Sequence, residues 1–213
     1  MHWIDPAYLP ETTGTVDRFL INAHGDAEGL MLRDGKEVHF PRHLAKRVLA
    51  AFKPGDPIKV RGVRPRGVDM IAAVSLQAGE SPEITDDGAP KDVDERKGER
   101  KPNHESAKHV EVEGVVRHLL HGPRGETRGA LLDDGTIVRM PASAAESLNE
   151  LLSLGHPFAA RGERLTNALG TVIDAHAFGA SLATLRSVDM KKGGKHEKSD
   201  HPGHGETNRG HVA

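Results

Sequence analysis

The stretch GLMLRDGKEVHFP, from Gly29 to Pro41, returns as GALLDDGTIVRMP from Gly129 to Pro141. The same displacement of 100 residues superposes Gly14 on Gly114, Val16 on Val116, Leu20 on Leu120, Gly25 on Gly125 and Ala45 on Ala145. It continues without a gap through Gly55, Pro57 and Arg61-Gly62, which meet Gly155, Pro157 and Arg161-Gly162. A shift of about two residues then pairs Ile71 with Ile173. Chance does not hold glycine, proline and apolar positions in register over such a span. The chain therefore contains two copies of one fold, too few for a solenoid, which needs at least three stacked units. The copies are placed at 13–77 and 110–180. An N-terminal extension (1–12), a charged linker (78–109) and a tail (181–213) surround them.

Each copy reads as short strands with one helix. TGTVDRFLINA and VEGVVRHLLHG are rich in β-branched and apolar residues and suit a long first strand. GLML and GALL begin a second. RDGK and DDGT then supply Asp-Gly, the strongest short hairpin signal, and predict a two-residue turn with positive φ at both central positions. KEVHF and TIVRM form a third strand, with Val38 and Phe40 on one face and Glu37 and His39 on the other. Leu44, Val48 and Phe52 recur every four residues, a helical stripe; Ala144, Leu148 and Leu151-Leu152 predict the same. Gly55 and Gly155 are expected to end these helices. IKVRGV and FAARGE make a fourth strand, VDMIAAVSL and GTVIDAHAF a fifth.

Three strands, a helix and two strands in about 65–70 residues resemble the OB-fold, the five-stranded Greek-key barrel that binds oligonucleotides or oligosaccharides. The helix between strands three and four argues against an SH3-like barrel. The resemblance is to tandem OB-fold proteins of the bacterial type. The expected class is all-β with one short helix per domain: two five-stranded barrels, a disordered linker and a disordered C-terminal tail. Residues 78–109 have almost no large apolar side chain, too little to offset the entropy of ordering. The tail carries His196, His201, His204 and His211. Their spacing is not that of a zinc site and the chain has no cysteine, so weak metal binding is the minor reading beside a merely soluble tail.

Charge is distributed unevenly. The first copy has eleven Lys and Arg against seven Asp and Glu; the second has six against nine. In the first, the cations fall where an OB-fold meets ligands. Arg61, Arg64 and Arg66 lie in the connection between strands four and five. Arg33, Lys36 and His39 lie on or beside strands two and three, and His24 in the turn after strand one. Guanidinium groups there can pair with phosphate in a forked geometry. Arg124, Arg128, Arg139, Arg161 and Arg164 are the weaker candidates of the second copy. The recurrence of Arg61 as Arg161 fits either function or a salt bridge inherited with the fold.

Aromatic residues are only 3% of the chain, whereas single strands are normally held by aromatic platforms. Phe19, Phe40 and Phe52 are read as core. Trp3 and Tyr8 are read as capping the barrel's open end, with stacking on a ligand as the alternative. No P-loop, dinucleotide fingerprint, nucleophile elbow or His-Glu-x-x-His is present. The expectation is a non-enzymatic, cofactor-free cytoplasmic protein that binds single-stranded DNA or RNA weakly, through its backbone and without sequence preference. A protein partner through barrel 2 is a further expectation and no membrane partner is expected. The rival readings are an assembly adaptor and a metal-responsive or small-ligand module.

Overall fold

A computed structural model describes residues 5–88 and 108–188. Strands β1 (Glu11–Ile21), β2 (Ala27–Leu32), β3 (Glu37–His39), β4 (Pro57–Val63) and β5 (Met70–Ala78) form the first unit. Strands β7 (Lys108–His121), β8 (Thr127–Leu132), β9 (Ile137–Arg139), β10 (Pro157–Asn167) and β11 (Gly170–Gly179) form the second. In each, the third strand pairs in parallel with the fifth and the fourth pairs with the first. That closes two five-stranded barrels with the strand order of the OB-fold. Two-residue strands extend each sheet: β6 (Ile84–Thr85) on β5 and β12 (Arg186–Ser187) on β11. They fall in stretches read from sequence as linker and tail. Ile84 explains β6, because it is buried in the first core.

The two barrels are alike down to their irregularities. Bulges fall between Val16 and Arg18, Leu20 and Ile21, and Arg61 and Gly62. They recur at Val116 and His118, Leu120 and His121, and Arg161 and Gly162. The last explains an invariant of the repeat. A Cβ on Gly62 would stand 2.2 Å from the Ala72 carbonyl oxygen, and one on Gly162 2.1 Å from that of Asp174. Since backbone cannot yield as a flexible side chain does, Gly62→Ala is expected to cost roughly 1–3 kcal/mol. A thermal melt reads this directly, and an unchanged midpoint contradicts it.

Three local expectations are corrected. The Asp-Gly hairpin is not a two-residue turn. Gly35 N–H donates to the Leu32 carbonyl at 2.9 Å, and Leu32 N–H to that of Lys36 at 2.9 Å. The loop is thus three residues long: Arg33 and Asp34 are central in the turn and Gly35 takes the positive φ of 89°, a G1-bulge hairpin. Asp34 serves by accepting from Lys36 N–H at 3.1 Å. The helix glycines also differ. Helix α1 (Ala45–Ala51) ends on extended Phe52, and Gly55 follows in a turn, donating to the Val16 carbonyl at the β1 bulge. Helix α2 (Ala142–Ser147) stops before Leu148, whose N–H is shared between the carbonyls of Ala144 and Ala145. Leu151 and Leu152 thus follow the helix rather than lie on it. Among the described residues no helix is long and apolar enough to cross a membrane.

Each barrel has its own core, and a third cluster lies between them. Leu30 and Leu32 point into the first barrel. Met31, between them, points the other way, and packs with Leu20 and Ile21 against Leu120, Leu131, Ile137 and Val172 of the second barrel. Full burial of such side chains stabilises by roughly 1.5–3 kcal/mol each. The contacts across this seam are reciprocal. Arg18 donates to the Gly135 carbonyl at 3.4 Å, and the His118 ring lies over Gly35. The turn at Gly25 meets Leu165 and Asn167, while the turn at Gly125 meets Pro65 and Val68. Position i of one copy touches j of the other, and j touches i. This is the pattern of an isologous dimer interface within one chain.

Candidate nucleic-acid interface

The sheet face of strands two and three and the loops 1–2 and 4–5 are where an OB-fold holds its ligand. Here those surfaces meet each other across the seam. His39 is therefore not a surface group. It is 7% exposed, with Nε2 3.0 Å from Glu37 Oε2. Glu37, equally enclosed, also accepts from the second barrel: His121 N–H lies 3.1 Å from Oε2 and His121 Nδ1 2.5 Å from Oε1. Burial alone would raise the Glu37 carboxyl. The hydrogen bonds from His121 and His39 outweigh it and hold the pKa at about 2. Arg139 is withdrawn in the same way. It is 6% exposed, donates from Nε to the Ile21 carbonyl at 2.9 Å and pairs with Glu28 at 2.5 Å. Alternation along β3 and β9 places these groups on the outward face. Their burial follows because that face meets a second barrel instead of water.

The remaining candidates sort by what holds them. Arg61 is tied down: Nη2 donates to Glu11 at 2.7 Å and Nη1 to the Ala7 carbonyl at 3.2 Å. Arg161 repeats this on Glu111 at 2.6 Å, since Arg61 faces Glu11 and Arg161 faces Glu111 across paired strands. Arg64 is exposed and donates to Thr12 Oγ1 at 2.7 Å. Lys36 pairs with Asp34 at 2.6 Å, and that hydrogen bond raises its pKa. Arg33 and Arg66 are exposed and make no ion pair among the described residues. His24, Arg124, Arg128 and Arg164 are also exposed. His24 and Arg128 line a groove at one mouth of the seam. His196, His201, His204 and His211 lie outside the described residues.

Arg33, Lys36, Arg64 and Arg66 share one rim of the first barrel. There the β2–β3 hairpin meets the β4–β5 connection: Glu37 N–H donates to the Asp69 carbonyl at 3.1 Å, and Lys36 Nζ lies 3.9 Å from the Asp69 carboxylate. Arg64 stands near enough to Lys36 to oppose its protonation. Sequence reasoning did not single out two further cations, Arg47 on α1 and Lys59 on β4. They line a second cavity of about 430 Å³ with Arg61. Alternation could have found Lys59, which shares the outward face of β4 with Arg61. The seam groove is larger, about 780 Å³, and is lined by matched positions of the two copies whose chemistry has diverged: Glu28 and Arg128, His39 and Arg139, Phe40 and Met140. Tyr8 does not cap the barrel. It is 88% exposed, because the turn that carries it buries Pro6 instead. Trp3 lies outside the described residues.

No family model matches this sequence, and no curated protein matches it. Among solved structures, the wild-type single-stranded DNA binding protein from Thermus aquaticus is similar at 15% identity. The match covers 79% of this chain and 90% of that one, with a TM-score of 0.25. A deletion mutant of that protein is similar at 13% identity over 81% and 93% of the two chains, with a TM-score of 0.24. Likeness at these scores carries no argument about function. The class defined by strand order and barrel closure is a tandem OB-fold protein whose two barrels pack through the faces formed by their second and third strands.

Proposed function

We propose that this chain is a non-enzymatic binder of single-stranded DNA or RNA, contacting phosphates weakly and without sequence preference through an exposed cationic rim of its first barrel. The observation that supports this reading most is the rim itself. Two separate connections bring Arg33, Lys36, Arg64 and Arg66 together on a barrel with an excess of cations, and Arg33 and Arg66 have no carboxylate partner among the described residues. With the usual sheet face covered, the contact at this rim is to the phosphate backbone. Such contacts release counterions, and the logarithm of affinity falls with that of salt by about 0.7 per phosphate for single strands. The test is fluorescence anisotropy with a labelled oligothymidine over a salt series. Replacing Arg33, Arg64 and Arg66 together with alanine is expected to weaken binding at low salt at least about tenfold and to flatten the salt slope by about 0.7 per lost contact. Because all three are exposed, the fold should persist, which circular dichroism checks. Absence of wild-type binding at low salt contradicts the proposal.

The second reading is an adaptor for a polypeptide, favoured by the seam groove, whose Phe40, Pro41, Val63, Met140 and Pro141 offer apolar surface beside charged groups. It predicts binding that survives the rim substitutions and that salt changes little.

A further inference from the structure

Tyr8 is the most exposed large apolar or aromatic side chain among the described residues, at 88%, and it is not on a loose end. It closes the short turn Pro6–Tyr8, which Asp5 caps by accepting from Ala7 N–H at 2.9 Å. Leu9 N–H closes the turn on the Pro6 carbonyl at 3.0 Å. Pro6 is buried, and Arg61 of β4 holds the Ala7 carbonyl from the other side at 3.2 Å. The backbone that carries the ring is thus held in place, while the ring itself stands open to a planar group. Its surroundings select the kind of planar group. Asp5, Pro6 and Ala7 wall the cavity of about 430 Å³ that also holds Arg47, Lys59 and Arg61. Of the carboxylates there, Asp5 is engaged in the cap and Glu83 on Ser75, and Arg61 already has Glu11. Arg47 and Lys59 make no ion pair among the described residues, and Asp87 is the carboxylate left beside them.

We infer that Tyr8 is a stacking platform for one base of a single strand whose neighbouring phosphate lies at Arg47 and Lys59. This rests on the proposed function and deepens it by supplying the aromatic contact that the buried phenylalanines do not. The five Phe of the chain are all in barrel cores, so among the described residues Tyr8 is the exposed aromatic left to stack on a base. Loss of one base–aromatic stack corresponds to about 5- to 150-fold in affinity.

The test is anisotropy at low salt with the full chain, using oligothymidine and an abasic oligonucleotide of equal length. Tyr8→Ala is expected to lose at least about fivefold on oligothymidine and nothing on the abasic strand, while Tyr8→Phe retains wild-type affinity for both. Tyr8→Ala binding oligothymidine as the wild type does overturns the inference and leaves the rim proposal standing. So does an equal loss on both strands, which assigns Tyr8 to the backbone. A wild type that binds neither strand overturns both.

Discussion

Replacing Glu37 with alanine is expected to cost about 3–5 kcal/mol of folding stability, since each buried group left unsatisfied costs roughly 1–3 kcal/mol and three donors lose their acceptor. The effect is large because this carboxylate accepts from His39 and from both the backbone and the ring of His121. Its loss leaves those donors without their acceptor inside the seam. Urea denaturation gives the value from the shift in midpoint at constant slope. The same group makes the protein acid-sensitive. Its folded pKa of about 2 lies below the ordinary value of 4.5. Its contribution is therefore complete above about pH 4.5 and is lost as pH falls toward 2. A shift of that size is worth about 3 kcal/mol. Glu37→Gln is uncharged throughout, so its stability should change correspondingly less over this window. A variant that loses stability on acidification as steeply as the wild type would assign the acid loss to other carboxylates.

The second large effect lies in the core of the second barrel. Phe158→Ala is expected to cost about 3–5 kcal/mol, from lost transfer energy and the cavity left behind. Phe158 is fully buried, with its ring centroid 6.2 Å from that of Phe178. The two cores fill the same barrel differently. Leu44, Phe40, Phe52 and Val60 of the first become Ala144, Met140, Leu152 and Ala160 of the second, all smaller. Ile58 and Leu76 become the larger Phe158 and Phe178. The two larger rings take up part of the space that the four smaller side chains leave, so each core is packed around its own set of residues. Phe158→Ile, which restores the residue of the first copy, should therefore still destabilise, because its neighbours no longer fill the space. Thermal melts of the two variants check this; an Ile variant as stable as the wild type contradicts the compensation.

Much of the architecture is legible in the repeat, because glycines and prolines mark turns that only a few residue types tolerate. Gly25, Gly35 and Gly55 and their counterparts all take positive φ. The stripe of Leu44, Val48 and Phe52 is buried as its spacing predicts, with Val48 on the helix and Leu44 and Phe52 just outside its two ends. The seam is also written in the chain. GLML and GALL are continuous apolar runs, and such runs mark strands buried on both faces. Met31 and Leu131 would otherwise face water. That reading alone would have moved His39 and Arg139 from a ligand surface into an interface. The ties of Arg61 to Glu11 and of Lys36 to Asp34 depend on register and loop geometry. The exposure of Tyr8 depends on which side of a three-residue turn is buried. None of these has a periodicity that a sequence displays.

The central claim is that the two barrels close on each other through the sheet faces and loops that an OB-fold ordinarily leaves open. A double-mutant cycle across the seam tests it most directly, since Glu37 and His121 are 84 residues apart and belong to different barrels. Stabilities of the wild type, Glu37→Gln, His121→Ala and the double variant should give a coupling energy of at least about 1 kcal/mol, within the range of contacting residues. Additive losses, with no coupling beyond error, would mean that the seam is open in solution and would contradict the account.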